Sequence, residues 1–326
     1  MRIIKHCYST ETKWIDVLAE AMGGTVSGNF IKGNNEIYTG THYVLPMEDR
    51  IAAMVIDTTY KETVLLKYKN DKDSFVGLYF YITNHNVDFI LDNEAAVVGK
   101  SDYNFTIIDS VLETDYAVVK GTGIYVICIF IDKVALKEYM DKMPSLRTVS
   151  QDVFNAEKNT IISMGRMNIE SYLLINDFRK IPYENPLFEL YFKGLVYKLI
   201  GNYLDQLLSK KFIISKVIHD DLKSIIASKA LLLESIDGVF PGVEFLAEQV
   251  FMSPSKYKKL FTKISGLSPG AFFYGNKLER AKELLGTGQY TVSEVSEKLN
   301  YANISYLAKR FNDKYGIFPK EYQSLL

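Results

Sequence analysis

Apolar and polar positions alternate through the first third of the chain in the manner of strands. Residues 51–57, 63–68, 75–82, 87–91, 105–109, 116–120 and 124–131 are short runs rich in Val, Ile, Tyr and Phe. Asp, Asn, Gly and Lys clusters separate them, a spacing that predicts a sandwich or barrel. One helical segment, residues 14–22, precedes them and stops at Gly23-Gly24, a natural helix end. After about Val134 the period lengthens, and residues 150–164 and 186–209 carry apolar residues at helical spacing. The second segment is apolar on more than one face (Leu187, Leu190, Tyr191, Leu195, Tyr197, Leu199, Tyr203, Leu204, Leu207 and Leu208), so it needs two partners. One is its own domain; the other is either more of the same core or a second copy of the chain.

From about Lys211 the pattern is helical with brief turns, and it repeats. Ser255, Lys259, Phe261, Gly266 and Pro269 recur as Ser305, Lys309, Phe311, Gly316 and Pro319, each at an offset of 50. Each copy reads polar cap, amphipathic helix, Gly, then Pro. Each follows a short helix, residues 243–249 and 291–299. A short helix, a tight turn and a second helix with a Ser or Asn cap describe a helix-turn-helix, whose second helix enters the DNA major groove.

Helical geometry sorts the side chains. Tyr257, Leu260 and Phe261 fall on the core face of the first copy, with Ser255, Lys258, Lys259 and Thr262 opposite. Leu307 and Phe311 face inward in the second copy, with Ser305, Ala308, Lys309 and Asn312 outward. Lysine serves guanine O6/N7 or a phosphate, and serine serves either. A solvated helix face explains one such helix, but two with matching polar faces favour DNA. Between them residues 268–286 carry a Leu278, Ala281, Leu284, Leu285 stripe that predicts one continuous helix. Such a helix holds two units at a fixed distance, which for one DNA face must be about 34 Å.

Charge supports the division. Residues 1–210 hold 22 basic and 27 acidic side chains, and residues 211–326 hold 16 and 12, so the C-terminal part is the basic one. The whole chain of 326 residues has a formal charge of −1, with 48% apolar and 24% charged residues, an ordinary globular composition that excludes a polycation or an acidic tail protein. Its two cysteines, Cys7 and Cys128, make no disulfide framework. The longest apolar stretch, residues 124–131, falls far short of the roughly 20 residues of a membrane helix. The first residues lack the apolar core of a signal peptide. A soluble, reduced, cytoplasmic protein is expected.

The C-terminal residues resemble the AraC family of transcription regulators. The likeness lies in Phe245-Leu-Ala-Glu, Met252-Ser-Pro-Ser-Lys, Leu260-Phe261, Gly266-Leu-Ser-Pro269, Lys277-Leu-Glu-Arg-Ala-Lys-Glu-Leu-Leu285, Val292-Ser-Glu-Val295, Asn303-Ile-Ser-Tyr306, Arg310-Phe311 and Gly316-Ile-Phe-Pro-Lys-Glu-Tyr322, over about the last hundred residues. The resemblance implies transcription control by two helix-turn-helix units on a long helix. By position, Ser255, Lys258 and Lys259 match the first base-facing helix, and Ser305, Ala308 and Lys309 the second. Three departures stand out. The family's Gly in the two tight turns is here Phe251 and Asn300, and a left-handed Phe costs about 1 kcal/mol or takes another conformation. Ile304 and Ala308 stand where polar residues are common, so weaker base reading is expected from the second helix. The usual terminal Arg is Gln323.

The resemblance further implies an N-terminal cupin-like β-barrel followed by dimerising helices. The expected fold is therefore α+β: a 1–145 antiparallel barrel as sensory domain, a 146–210 helical dimerisation or linker segment, and a 211–326 all-α DNA-binding domain. Expected partners are double-stranded DNA, a second copy, RNA polymerase and a small-molecule effector, with no membrane. Tyr79, Phe80, Tyr81, Phe89, Tyr103 and Phe105 either line an apolar pocket or fill the core. No cofactor or metal is expected, since His85 stands apart from any His or Glu cluster. A rival reading makes the barrel a ligand-independent oligomerisation or protein-interaction module. Another makes it an enzyme, but nucleophile-elbow, dinucleotide and phosphate-loop motifs are missing, and Gly121-Thr-Gly123 reads as a turn.

Overall fold

The computed structural model describes residues 1–325 except 49, 71, 84–86, 92–93, 99–102 and 209–210. The chain divides into two compact units, Met1–Lys223 and Ser224–Leu326.

The first unit opens with β1 (Arg2–His6), α1 (Trp14–Met22), β2 (Thr25–Ser27), β3 (Phe30–Asn34), β4 (Tyr38–Met47) and β5 (Ile51–Tyr60). It continues with β6 (Val64–Tyr68), β7 (Phe75–Tyr81), β8 (Val87–Leu91), β9 (Glu94–Val98), β10 (Phe105–Asp109), β11 (Thr114–Val118) and β12 (Gly123–Asp132). Then come α2 (Lys133–Asp141), α3 (Pro144–Val153), β13 (Ile162–Gly165), α4 (Ile169–Phe178) and α5 (Phe188–Leu208). The strands make two sheets, ordered β1-β6-β11-β8-β9 and β13-β10-β7-β12-β5-β4-β3-β2. Pairing is antiparallel except for β1 with β6, which is parallel. Among the described residues the strands form two open sheets rather than one closed sheet, so the architecture is mixed α+β with barrel closure unmet.

Strand β12 explains the layering. A run that is buried along its whole length needs cover on both faces. Tyr125, Ile127, Ile129 and Ile131 point into a core shared with Leu136, Leu146, Ile175, Phe192 and Leu199 of the helices. Ile124, Val126 and Cys128 point the other way, toward the smaller sheet. Helix α5 thus spends one face on the larger sheet, through Phe192, Leu195, Val196, Leu199 and Tyr203.

One expected helix is shorter than its pattern. Residues 150–164 end as helix at Val153, and Ile162–Gly165 instead pair antiparallel with β10, Ile162 opposite Ile108. Asn155 and Asn159 break the helix: Asn155 accepts the amides of Glu157 (3.0 Å) and Lys158, while the Asn159 side chain donates to the Val153 carbonyl (2.7 Å). The freed edge of β10 then takes Ile162 and Met164 into the sheet.

The loop before β13 also grips the chain that follows α5. Thr160 Oγ1 donates to the Val217 carbonyl and accepts the Val217 amide, both at 3.0 Å. Asp109, buried at the end of β10, accepts the Ile161 amide at 3.1 Å and pairs with Lys133 Nζ at 2.7 and 2.8 Å. The ammonium offsets part of the desolvation that pushes the Asp109 carboxyl up from its ordinary value.

The second unit is all helix. The boundary falls within α6 (His219–Glu234), and α7 (Val243–Gln249), α8 (Pro254–Ser265), α9 (Pro269–Gly286), α10 (Val292–Lys298), α11 (Ile304–Tyr315) and α12 (Pro319–Ser324) follow. No helix among the described residues is long and apolar enough to cross a membrane.

Candidate nucleic-acid interface

The two copies of the repeat are built by the same caps. Ser253 Oγ accepts the Lys256 amide to start α8, and Asn303 Oδ1 accepts the Tyr306 amide to start α11. Both helices run twelve residues and end on left-handed glycines, Gly266 (φ 71°) and Gly316 (φ 74°). Pro269 and Pro319 then open the next helices at a position where a missing N–H costs nothing. The offset of 50 holds from cap to proline, but it is 49 in the turns. The Met252 amide bonds the Ala247 carbonyl and the Tyr301 amide the Ser296 carbonyl, both at 2.9 Å. The second turn therefore carries one extra residue, Ala302, before its cap.

The predicted faces separate cleanly. Tyr257, Leu260 and Phe261 are buried in the first copy, and Leu307 and Phe311 in the second. Ser255, Lys258 and Lys259 lie exposed on α8, as do Ser305 and Lys309 on α11. Ala308 is only half-exposed. Lys258, Lys259 and Lys309 make no ion pair among the described residues, so each ammonium is open to an outside anion. Arg310, which motif reading used only as part of the Arg310-Phe311 pair, is a further exposed cation on α11.

The helices are fixed to their neighbours by named contacts. Tyr257 hydroxyl lies 2.7 Å from Ser228 Oγ, which ties α8 to α6, and Phe261 packs edge-on against Phe272 of α9 at 5.6 Å. Burial pushes the Tyr257 phenol up to about 12. Lys314 joins α11 to α9 through Glu279 (2.8 Å) and the Gly275 carbonyl (2.9 Å). Lys277, buried in the middle of α9, donates to the Gly238 carbonyl between the rings of Phe273 (5.2 Å) and Tyr301 (5.4 Å). Burial lowers its ammonium from the usual lysine range, against the pull of Asp237. Asn300 adds a second tie, its amide donating to the Asp237 carbonyl at 2.8 Å. Just before the first helix-turn-helix, Asp237 is thereby bonded to the turn of the second and Gly238 to α9. These cross-ties make the spacing of α8 and α11 a property of the whole unit.

Residues 246–324 match a family model described as a helix-turn-helix domain. Over 143 residues the chain is 26% identical to the HTH-type transcriptional regulator AlkR of Acinetobacter baylyi, covering 44% of this chain and 45% of that protein. It is 28% identical over 81 residues to the regulatory protein PocR of Salmonella typhimurium, covering 25% of this chain and 27% of that protein. The crystal structure of the DNA-binding domain of AdpA in complex with a target DNA is 25% identical and covers 31% of this chain and 91% of that one, with a TM-score of 0.30. The C-terminal region is an AraC-type helix-turn-helix domain. The chain spans less than half the length of the two regulators.

Within the AraC-type domain the departures acquire geometry. Phe251 keeps the left-handed turn (φ 54°) despite its bulk and is 99% exposed. Nothing within the domain explains an aromatic there. Asn300 (φ 47°) is the better substitute, because its side chain makes the Asp237 bond. Gln323 fills the place of the usual Arg by donating to the Tyr290 carbonyl at 2.7 Å.

The aromatic strand residues of the first unit divide by strand face. Tyr79 and Tyr81 line a cavity of about 70 Å³ between the two sheets. Phe80 and Phe105 face the helices, ring on ring at 4.6 Å. Tyr103 is buried outside the cavity wall, and Phe89 and His85 lie outside what the structure describes of side chains. Composition did not single out His6, Tyr8, Tyr60, Tyr68 and Tyr116, which add to the wall from β1, the segment just after it, β5, β6 and β11. The signal was the alternation of Tyr79, Tyr81 against Phe80, which marks one strand face as phenolic.

Proposed function

We propose that the chain is a sequence-specific transcription regulator, with α8 and α11 lying in successive major grooves of double-stranded DNA. The observation that carries this reading is the pair of equal, equally capped helices whose Ser255, Lys258, Lys259 and Ser305, Lys309 faces are open to solvent on one cross-tied frame. Ala308 offers a methyl group suited to a thymine methyl or to close backbone approach. Residues 211–326 bind DNA, residues 1–145 form a cupin-like sensory module for a small-molecule effector, and residues 146–210 dimerise. The protein works in the cytoplasm, where it meets RNA polymerase, and performs no catalysis of its own.

A specific feature favours the dimer. Leu187 precedes α5, and Leu190, Tyr191 and Tyr197 follow along the face of α5 turned away from the core, all exposed. The adjoining α4, joined to α5 by the Asn202–Ser171 hydrogen bond, adds exposed Ile169, Tyr172 and Leu173. Exposed apolar side chains gathered on two neighbouring helices favour an interaction surface. The alternative, an effector-free oligomerisation module, rests on the same face.

Selection of bound fragments from random DNA with the full chain, followed by gel shifts at fixed salt, tests the reading. A single enriched motif whose binding falls with Lys259→Ala supports it. Retention of all fragments alike contradicts it. Sedimentation of the full chain at micromolar concentration tests the dimer, which Leu190→Glu is expected to dissociate.

A further inference from the structure

We propose that the cavity between the two sheets of the first unit binds a small, uncharged aromatic molecule carrying a hydrogen-bonding group, of the size of a substituted phenol or indole. The proposal names the effector class of the sensory module and rests on that reading.

Three observations set the class. The first is charge. No Lys, Arg, Asp or Glu lines the cavity among the described residues. Its titratable groups are held neutral by burial, His6 down to about 4, and the phenols of Tyr68 and Tyr81 and the thiol of Cys128 pushed up. An ionic ligand entering such a site sheds its hydration and meets no counter-charge, which disfavours carboxylates and amines alike.

The second is wall chemistry. Rings surround the space. Tyr8 stacks on Phe130 at 4.8 Å and meets Trp14 edge-on at 5.0 Å, while His6 lies 4.9 Å from Tyr8 and 5.8 Å from Tyr68. Flat aromatic surfaces favour a flat aromatic guest. Several polar groups on this wall are already satisfied: Tyr68 donates to the Ser110 carbonyl at 3.0 Å, and Tyr81 and Tyr116 hydroxyls lie 3.4 Å apart. Others are open. The hydroxyls of Tyr8 and Tyr79 make no hydrogen bond among the described residues. A hydroxyl left unpaired when a guest fills the space costs free energy, so a ligand hydroxyl or N–H that pairs with these phenols is favoured.

The third is size and fit. A water needs about 10–15 Å³ of such space, so about 70 Å³ matches a handful of waters, the displacement of one substituted ring rather than a long chain. Gly77 contributes to the shape. A Cβ there would lie 2.6 Å from the ring of Tyr79, so glycine leaves room for this lining side chain to lie along the strand.

The test uses the full chain and four probes of similar size: phenol, indole, benzoate and cyclohexanol. Binding is followed by calorimetry and by the rise in melting temperature. Phenol or indole is expected to bind saturably, at least tenfold tighter than benzoate and cyclohexanol. Tyr79→Phe, which removes one hydroxyl and keeps the ring, is expected to weaken phenol about fivefold or more with an unchanged melting temperature without ligand. Benzoate or cyclohexanol binding as tightly as phenol at this site overturns the class and leaves the sensory reading standing. If none of the four binds, the class is overturned as well. The sensory reading is then decided separately by Val126→Trp, which fills the cavity. DNA binding unaltered by Val126→Trp in a chain of native circular dichroism contradicts a sensory role, and altered binding preserves it.

Discussion

The two helix-turn-helix copies share a frame but differ in what they put on it. The first displays Lys258 and Lys259 beside Ser255 on α8, and carries a strained aromatic, Phe251, in its turn. The second displays one lysine and Arg310 beside the apolar Ile304 and the half-exposed Ala308, while its turn is stapled through Asn300 and beside the buried Lys277. On the proposed reading the first copy supplies the more polar base-facing surface and the second the more apolar one. Duplication preserves caps, core aromatics and terminators because each copy must fold as the same local object. It leaves the outer faces free to diverge.

The frame itself should show the largest effect. Phe261→Ala and Phe311→Ala each remove a fully buried ring and are expected to cost about 3–5 kcal/mol. Denaturant unfolding of both variants should give losses of similar size; a cost below about 1 kcal/mol for either would break the equivalence of the two cores. DNA contacts come next. Lys259→Ala is expected to lose about 1–3 kcal/mol of binding and to relax preference at one base pair. Lys309→Ala should lower affinity evenly across sequences and reduce the salt slope by about 1. Equal relaxation of specificity from both substitutions would erase the proposed difference between copies.

The turns give smaller effects of opposite sign. Phe251→Gly relieves a left-handed aromatic and is expected to stabilise by about 1 kcal/mol. Asn300→Gly relieves less strain and forfeits the bond to Asp237, so its melting temperature should stay level or fall. Smallest of all, Ala308→Ser is expected to leave stability unchanged and to shift affinity by under about 1 kcal/mol. A large loss there would place Ala308 in close contact with the duplex.

The sequence disclosed these regions unequally, for physical reasons. The second unit folds through contacts between near neighbours, so caps, periodicity and an offset of 50 located α7, α8, α9 and α11 almost to the residue. Seven strands of the first unit were legible because their apolar runs are short and bounded by turn residues. Strands β1, β2, β3, β4 and β9 were not; the edge strand β2, exposed throughout Thr25–Ser27, has little apolar pattern to read. Strand β13 was hidden inside a helical period, because only the distant edge of β10 makes Ile162–Gly165 extended. The cavity was half legible: Tyr79 and Tyr81 could be suspected, but the side chains facing them come from β1, β6 and β11, and pairing between distant segments is not written in local spacing. Of the proposed DNA contacts, the lysines were readable from helical geometry, whereas the cross-ties of Lys277 and Asn300 needed coordinates.

In the proposed complex α8 and α11 occupy successive major grooves from a fixed frame. Hydroxyl-radical and methylation footprinting of the full chain on its selected DNA fragment tests it most directly. Two guanine-protected major-groove segments about 10 base pairs apart on one face of the duplex are expected, the first lost with Lys259→Ala and the second kept. A single protected segment, unchanged by substitutions on α11, would contradict it.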